Sequence, residues 1–268
     1  MTSQVKQLYD IHSHVLPKID DGSTSWEETM AMVRQAYESG TTQLAITHHM
    51  ITARDFDKEN EILEKFAQLK ELLKREQIPL KLHLAAELYY SPDLELEHRI
   101  STYNNNGKYF LVEFPMQGIP KFADDKFFEF IVDGKTPILA HPERNLGLVR
   151  NPMRAYEFVQ RGVLMQINAG SLDGMYGEQV RQLAFKLLDA RLVHFIGSDG
   201  HNSTRRPLII GDAYRIMKEH YDQDYLQKIF HENPWRAMHG DELKVPEPLP
   251  IVATPEKKRF GLLKKLGF

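Results

Sequence analysis

Cysteine is absent from this chain of 268 residues. Without thiols the protein can form no disulfide, no thiolate metal site, no redox pair and no cysteine nucleophile. Any metal site must therefore use histidine, aspartate, glutamate and water. Long apolar runs are also missing, since no stretch approaches the ~20 residues of a membrane-spanning helix and the N-terminal segment lacks a signal-peptide core. We expect a soluble, cytoplasmic protein.

Glycine-rich and serine-based signatures are missing as well. No two of the 16 glycines stand two residues apart, which excludes the G-x-G-x-x-G dinucleotide fingerprint. Neither a Walker A sequence nor a G-x-S-x-G elbow occurs. The formal net charge is −3, and the chain carries no signature of a basic groove. We therefore expect no nucleic-acid partner.

Apolar, β-rich runs alternate with helical patterns along most of the chain. Seven strands are predicted, at Leu8–His12, Gln43–Thr47, Leu80–Glu87, Tyr109–Phe114, Thr136–Ala140, Val163–Asn168 and Leu192–Gly197. In the clearest helix, Glu59–Glu76, apolar residues recur with the 3.6-residue period. Ser25 and Glu28 form an S-x-x-E capping box that opens an earlier helix, and Gly40 ends that helix. This order predicts an α/β protein with a parallel sheet, either closed as a barrel or open and doubly wound.

The chain changes character near Val245. We expect one domain over residues 1–245, followed by a proline-rich linker and basic tail over 246–268. Residues 255–268 carry five basic side chains and one acidic side chain. A solvated tail is the simpler interpretation. The alternative is a short amphipathic helix in weak contact with a membrane surface or a partner.

Imidazole and carboxylate side chains stand where the predicted strands end. The first strand leads into D-I-H-S-H, whose two-residue period puts Asp10, His12 and His14 on one face of an extended segment. The later strands end in T-H-H, Glu87, Glu113, H-P-E-R, Asn168 and G-S-D-G-H. Such side chains rarely close apolar strands by chance, because burial without a partner is costly. Since sites form at the carboxyl edge of parallel sheets, this pattern predicts a multinuclear metal site.

The donor types narrow the choice of metal. Imidazole with carboxylate, in the absence of sulfur, suits zinc, manganese or iron and is too rich in nitrogen for a calcium or magnesium cage. Because the chain offers neither a thiol nor a serine elbow, we expect a metal-bound hydroxide as the nucleophile.

The ordered motifs D-I-H-S-H, D-D-G, T-H-H, H-P-E-R and G-S-D-G-H resemble the polymerase and histidinol phosphatase (PHP) superfamily. Within it, H-S-H-V-L-P-K-I-D-D-G-S-x-x-x-E-E resembles the bacterial tyrosine-protein phosphatases of capsule and exopolysaccharide operons, and the match spans roughly Tyr9 to Pro207. The resemblance implies a distorted seven-stranded (β/α)7 barrel of PHP type. It also implies a trinuclear metal site at the C-terminal strand ends, with three divalent ions, manganese first and iron or zinc as alternatives.

The resemblance assigns residues by motif. It implies nine metal ligands, which are His12, His14, Asp21, His49, Glu87, Glu113, His141, Asp199 and His201. Arg144 and Arg206 resemble the family's phosphate-contacting arginines, and Arg205 is an alternative to Arg206. At the second strand, His48 stands beside His49, so the ligand there stays open.

Three neighbours of these motifs have other interpretations. We expect Asp10 to orient a histidine rather than to bind a metal ion. Asn168 is expected to satisfy backbone groups or water near the site. Asp20 is interpreted as a turn residue before Gly22.

The implied activity is metal-dependent hydrolysis of a phosphate monoester. The implied partner is a phosphotyrosine protein, in particular an autophosphorylated bacterial tyrosine kinase of capsule or exopolysaccharide synthesis. Three rival interpretations stay open: a small-molecule phosphatase such as a histidinol phosphatase, a nuclease of the same superfamily, and a catalytically silent regulator that binds a kinase tail. The lack of a basic groove argues against the nuclease, and the full set of ligands and arginines argues against the silent regulator. Oligomerisation is also left open.

Overall fold

Seven parallel strands form the centre of the protein, whose computed structural model describes residues 7–251. The strands are β1 (Leu8–Asp10), β2 (Thr41–Met50), β3 (Lys81–Tyr89), β4 (Tyr109–Glu113), β5 (Thr136–Ala140), β6 (Leu164–Asn168) and β7 (Phe195–Gly197). Neighbours in the sheet are neighbours in the chain, and each adjacent pair is parallel. Each strand overlaps one predicted from the sequence, so their number, order and α/β class are confirmed.

The first and last strands meet just beyond their carboxyl ends. The backbone N–H of His14 donates to the carbonyl of Gly200 over 2.9 Å. The N–H of Asp199 donates to the carbonyl of His12 over the same distance. Ser13 and Gly200 form a parallel bridge between these segments. The sheet therefore closes as a distorted barrel, which decides between the closed and open arrangements that the pattern of elements allowed.

Helices surround the sheet. They are α1 (Trp26–Glu38), α2 (Glu59–Arg75), α3 (Ala123–Val132), α4 (Leu146–Arg150), α5 (Met153–Gln160), α6 (Ala169–Asp173), α7 (Glu178–Asp189), α8 (Gly211–Lys218), α9 (Gln223–Gln227) and α10 (Asn233–His239). Short 3-10 segments lie at Ala53–Lys58, Tyr103–Asn105 and Pro142–Arg144, and a π-helical segment lies at Lys228–Glu232. The amphipathic helix predicted over Glu59–Glu76 is confirmed as α2, whose Ile62, Leu69 and Leu73 are buried.

Apolar side chains of the strands alternate between two clusters. In β2, Leu44 and Ile46 pack in the large cluster between sheet and helices, whereas Ala45 belongs to a smaller cluster inside the barrel. Bulky residues such as Tyr103 and Phe195 fill that inner cluster. The alternation follows from the two-residue period of a strand. The barrel interior is thus a packed core, and a site can form only at its rim.

The N-terminus of α1 uses half of the predicted capping box. Ser25 is the N-cap, and its hydroxyl accepts the backbone N–H of Glu28 at 3.2 Å. The Glu28 carboxylate instead accepts the backbone N–H of Ser203 at 2.6 Å. The predicted return bond from Glu28 to the N-cap is therefore wrong, because a tertiary contact uses this carboxylate. Glu28 thereby ties α1 to the loop after β7.

The segment after α10 runs without helix or strand to the end of the described residues. The backbone N–H of Leu249 donates to the carbonyl of Ala190 over 2.9 Å and fastens this segment to the domain. The basic tail at 255–268 lies outside the described residues, so the solvated tail and the alternative amphipathic helix both stay predictions. Within residues 7–251, no helix has both the length and the apolar character required to cross a membrane.

Candidate metal centre

The inward faces of the strands change from apolar to ionisable at the carboxyl rim of the barrel. In β3, Ala85 belongs to the inner apolar cluster, and Glu87 follows two residues later on the same face. By the same period, β2 ends its inward face in His49, and β4 ends its inward face in Glu113. The site therefore lies directly above the packed interior, which leaves its donor atoms little water.

Because side chains alternate along a strand, the two adjacent histidines of β2 lie on opposite faces of the sheet. His49 faces the barrel axis, and its Nδ1 lies 3.0 Å from an oxygen of Glu87. His48 points away with Ile46 and is buried without a hydrogen bond to either ring nitrogen. Burial lowers the pKa of His48 to about 4, so it is a neutral side chain of the outer layer. The structure thus brings His49 to the site and leaves His48 out.

All nine predicted ligands gather at this rim. Seven of them form three groups whose donor atoms lie within 4.8 Å of one another: His14 with Asp21, His49 and His201; His12 with His14 and Glu87; and His49 with Glu87 and Glu113. The other two, His141 and Asp199, contact members of these groups. Nε2 of His141 lies 2.8 Å from Oε1 of Glu87, and Oδ1 of Asp199 lies 3.5 Å from Nε2 of His14.

Glu87 stands at the centre of the cluster and is fully buried. Its Oε2 atom lies 3.2 Å from Nε2 of His12 and 3.3 Å from Nε2 of His14, yet it has no hydrogen bond. Donor atoms bound ~2.1 Å from one ion lie about 3.0 Å apart at right angles and about 3.4 Å apart at the tetrahedral angle. These donor separations therefore fit a shared divalent cation better than direct hydrogen bonds.

The ring orientations of His12 and His14 lead to the same conclusion. Nδ1 of His12 donates to Oε1 of Gln166 at 2.8 Å, and Nδ1 of His14 donates to Oδ2 of Asp20 at 2.7 Å. With Nδ1 protonated, each neutral ring keeps a lone pair on Nε2. The two Nε2 atoms lie only 3.1 Å apart. Two facing lone pairs require a cation or a proton beside them, and a metal ion fits this requirement.

The charges around His14 show how strongly the cluster favours positive charge. Burial alone would lower the pKa of His14, but Asp20, Asp199 and Glu87 raise it well above its ordinary value. Burial alone would likewise raise the pKa of Glu87, and the neighbouring imidazoles hold it well below its usual range. The Glu87 carboxylate is therefore ionised and available as a ligand.

A second group forms around His201 and Asp21. Nδ1 of His201 donates to the carbonyl of Asp199 at 2.9 Å, so Nε2 carries the lone pair. That Nε2 atom is buried without a hydrogen bond and lies 3.4 Å from Oδ1 of Asp21. The His201 imidazole lowers the pKa of Asp21 to about 2, although the Asp21 side chain is 67% exposed. This group lies at the open side of the site, and its donors fit a divalent ion.

The two oxygens of Asp199 face different partners. Oδ1 points to the histidine cluster, while Oδ2 accepts hydrogen bonds from Nη1 of Arg144 at 2.8 Å and Nδ2 of Asn168 at 2.6 Å. Nη2 of Arg206 lies 2.6 Å from the same oxygen. Arg205 is exposed, so the structure brings Arg206 rather than Arg205 to the site. Two guanidinium groups thus stand beside the carboxylate that borders the imidazoles.

Left-handed backbone shapes two of the strand ends. His141 has a φ of 34° and Asp199 has a φ of 53°, a region that residues other than glycine seldom adopt. After His141 the chain turns at once into the segment Pro142–Arg144, and the N–H of Arg144 donates to the His141 carbonyl over 2.9 Å. The turn brings Arg144 back over the rim. Such strained residues concentrate at functional sites, where surrounding contacts hold them.

The residues that orient the predicted ligands carry little signal in the sequence. Gln166 is a buried amide in the middle of β6, and its contact with His12 was not predicted. Asp20, interpreted as a turn residue, accepts from the His14 ring and from the backbone N–H of His49. Asp10 contacts His12 through the backbone N–H rather than through the ring. A buried amide inside an apolar strand was the one signal in the sequence that could have identified Gln166.

Comparison with known proteins adds relatives of the whole chain. A family model described as "Capsular polysaccharide synthesis, CpsB/CapC" matches residues 8–239. Tyrosine-protein phosphatase YwqE of Bacillus subtilis is 30% identical over 256 residues, which cover 95% of this chain and 99% of that protein. Tyrosine-protein phosphatase CpsB of Streptococcus pneumoniae is 31% identical over 243 residues, which cover 88% and 100%. A crystal structure from work on these two proteins, described there as unique metal-dependent tyrosine phosphatases, matches with a TM-score of 0.84 at 28% identity over 91% of this chain and 100% of that one.

Proposed function

Because the chain belongs to the CpsB/CapC family of capsular polysaccharide synthesis, we propose that it is a metal-dependent phosphatase that hydrolyses phosphotyrosine in proteins. Relatives matched over nearly their whole length are named tyrosine-protein phosphatases, and the structural relative is described as metal-dependent. One observation carries the proposal: a cluster of imidazoles and carboxylates around Glu87 stands beside two guanidinium groups on Asp199. One site therefore contains side chains that can bind cations and side chains that can bind an anion.

The nine predicted residues are proposed as the ligands of three divalent ions, manganese first and iron or zinc as alternatives. Their donors are nitrogen and oxygen alone, which suits all three metals. When bound, such ions supply positive charge for the phosphoryl oxygens and lower the pKa of water. The hydrogen bonds from His12 to Gln166 and from His14 to Asp20 support this role, because they aim the Nε2 lone pairs of both rings at Glu87.

The arginines are proposed to bind the phosphoryl group. Both guanidinium groups now contact Oδ2 of Asp199, an anionic oxygen that also accepts from Asn168. Phosphoryl oxygens offer the same kind of acceptor, and guanidinium groups bind them in a forked geometry. Charge that moves onto these oxygens during transfer is stabilised by donors that are already in place.

A phenol leaving group suits this site. Tyrosine leaves with a pKa of ~10, much lower than that of an aliphatic alcohol. Protonation of the leaving oxygen is therefore less necessary, and no dedicated general acid is assigned. The proposed substrate is a phosphotyrosine segment of a bacterial tyrosine kinase of capsule synthesis, met on the cytoplasmic side. The catalytic domain is proposed to end near residue 245.

The test offers four substrates in parallel to the full chain loaded with Mn²⁺. They are a phosphotyrosine peptide, a phosphoserine peptide of the same sequence, histidinol phosphate and a short oligonucleotide. We expect hydrolysis of the phosphotyrosine peptide with the highest kcat/KM. Metal content of the same sample is measured by mass spectrometry, and excess chelator followed by dialysis should abolish the activity.

The contrary outcomes separate the rival interpretations. Preference for histidinol phosphate would identify a small-molecule phosphatase, and cleavage of the oligonucleotide would identify a nuclease. Metal binding without turnover of any substrate would indicate a silent regulator. Activity that persists in excess chelator would contradict the metal-dependent proposal altogether. A thiol-directed reagent serves as the control and should leave the rate unchanged, since the chain has no cysteine.

A further inference from the structure

Tyr176 lies between the two arginines of the site. Its ring centroid is 4.4 Å from Cζ of Arg144, a distance typical of a guanidinium that stacks on an aromatic face. Its hydroxyl also lies near the Arg206 guanidinium, close enough for each of the two groups to affect the pKa of the other. The two arginines come from distant parts of the chain, Arg144 after β5 and Arg206 after β7. One tyrosine thus contacts both proposed phosphate-binding groups.

A tight turn places this tyrosine. It lies between α6 and α7, where Gly174 and Gly177 have φ angles of +94° and +92° that glycine adopts most readily. The N–H of Met175 donates to the carbonyl of Gly170 over 2.9 Å, and the N–H of Gly177 donates to that of Gly174 over the same distance. The chain therefore reverses within a few residues. Met175 is left 42% exposed, whereas Tyr176 is half-buried against the arginines.

The contacts of Tyr176 differ in kind from those of Asp199. Asp199 carries a negative charge and attracts both guanidinium groups to one oxygen, so it competes directly with a phosphoryl anion for them. Tyr176 is a neutral phenol, and burial together with the nearby Asp199 raises its pKa further. A neutral partner can keep its contacts with both arginines while their charge turns to an anion.

We propose that Tyr176 is a positioning residue that holds Arg144 and Arg206 side by side for the phosphoryl group. This inference rests on the proposed function, since it assigns the tyrosine a role toward that same substrate. The ring fixes the plane of the Arg144 guanidinium, and the hydroxyl fixes the position of the Arg206 guanidinium.

Two variants separate the ring from the hydroxyl. Tyr176→Phe keeps the stack on Arg144 and removes the hydroxyl beside Arg206, and we expect kcat/KM on a phosphotyrosine peptide to fall about 10-fold. Tyr176→Leu removes both contacts, and we expect a fall of about 100-fold. Metal content should stay at the level of the unmodified protein in both. Tyr156→Phe on α5 is the matched control, since its hydroxyl contacts Gln160 away from the site.

A double-mutant cycle tests the route through Arg206. In an Arg206→Ala background, Tyr176→Phe should change kcat/KM less than 2-fold, because the partner of the hydroxyl is already gone. A full additional 10-fold loss in that background would overturn the assigned role. The cycle compares the effect of Tyr176→Phe on kcat/KM with and without Arg206. A general loss of stability would lower kcat/KM in both backgrounds and would not produce the expected difference.

Binding of inorganic phosphate provides a readout that does not depend on turnover. The full chain loaded with Mn²⁺ is titrated with phosphate by calorimetry, and the dissociation constant should rise about 10-fold in Tyr176→Phe. Unchanged phosphate affinity in Tyr176→Phe, with metal content intact, would overturn the inference even if the enzyme is active. If the unmodified protein binds phosphate but hydrolyses no phosphotyrosine, the proposed function fails while the role of Tyr176 is still decided by this titration. If the unmodified protein binds no phosphate, the inference is overturned as well.

Discussion

Buried histidines lie at both ends of the barrel, and their surroundings differ in kind. His83, near the start of β3, donates from Nε2 to Oε1 of Gln43 and accepts at Nδ1 from Nδ2 of Asn104, each over 2.8 Å. Burial, with a smaller effect from Lys81, lowers its pKa to about 3. His14, at the opposite end, faces carboxylates that raise its pKa, and its Nε2 opposes another imidazole nitrogen.

Burial alone therefore does not distinguish a structural histidine from a functional one. Around His83, amide side chains complete both hydrogen bonds of the ring. At the carboxyl end, several buried side-chain atoms have no hydrogen-bond partner, among them Oε2 of Glu87 and Nε2 of His201. Unbonded nitrogen and oxygen atoms that lie at the spacing of metal ligands therefore distinguish the functional end. Substitutions at the two ends should have different consequences.

The largest effect is expected from Glu87→Gln. The amide keeps the shape of the side chain and removes the charge shared by the central imidazoles, so metal binding should be lost. We expect kcat/KM on a phosphotyrosine peptide to fall by at least about 1000-fold, because bound metal lowers the barrier by several kcal/mol. Metal content is measured on the same sample. Glu129→Gln, on the exposed face of α3, is the control, and retention of metal by Glu87→Gln would contradict this assignment.

A smaller but more selective loss is expected from Arg144→Ala. The guanidinium contacts Asp199 and stands beside the imidazoles, so the variant should keep its metal and lose about 100- to 1000-fold in kcat/KM. Arg154→Ala is a matched control, because Arg154 pairs with Asp124 and Glu157 away from the site. Full activity of Arg144→Ala on an aryl phosphate would rule out the proposed contact with phosphate.

The amide partners allow the two ends to be compared directly. Gln166→Leu removes the acceptor that orients the His12 ring, and metal affinity should weaken about 10- to 100-fold. Gln43→Leu removes the equivalent acceptor of His83, and it should cost about 1–3 kcal/mol of unfolding free energy without changing metal affinity. Metal titrations and urea unfolding curves of both variants decide the comparison. The reverse pattern would show that buried amides do not report function in this way.

The smallest effect concerns the pH dependence of stability. The folded-state pKa of His83 is about 3, below the ordinary value of 6.5, so the unfolded chain binds more protons between these values. The unfolding free energy should therefore fall as pH decreases below about 6.5, with His83 contributing about 1 kcal/mol by pH 5.5. In His83→Gln, with chelator present in both proteins, urea unfolding should show a shallower decline. Equal slopes would mean that the His83 ring is not kept neutral by burial.

Much of the fold follows from local patterns of the sequence. The seven strands were predicted because apolar, β-rich runs recur at regular intervals, and α2 because its apolar period is unambiguous. Strand ends were less accurate: β2 continues to Met50, beyond the predicted Thr47, because it pairs with β3 from Gln43 to Met50. β1 stops at Asp10 rather than His12, because the chain there bends to meet Gly200. Pairing with a distant segment is invisible in a local window.

The candidate site was predictable for residues at strand ends and not for those that support them. Parallel strands bring their carboxyl ends together, so convergence of residues such as Glu87 and His141 was expected. Gln166 has no motif, and its role depends on which ring it meets across the barrel. The same holds for Tyr176, which lies on a loop between helices. Glu28 matched a local motif, yet its carboxylate bonds to Ser203, so a tertiary contact overrode the local pattern.

The left-handed backbone at His141 opens a route to chemical complementation. Glycine adopts that conformation more readily than histidine, so His141→Gly should keep the turn that carries Arg144 while deleting only the ring. The deletion leaves a space of the size of an imidazole beside Glu87, in an otherwise preserved rim. Free imidazole added to the solution could fill that space and restore the missing nitrogen. At this position alone among the imidazole groups of the strand ends, the backbone itself favours the residue that makes such rescue possible.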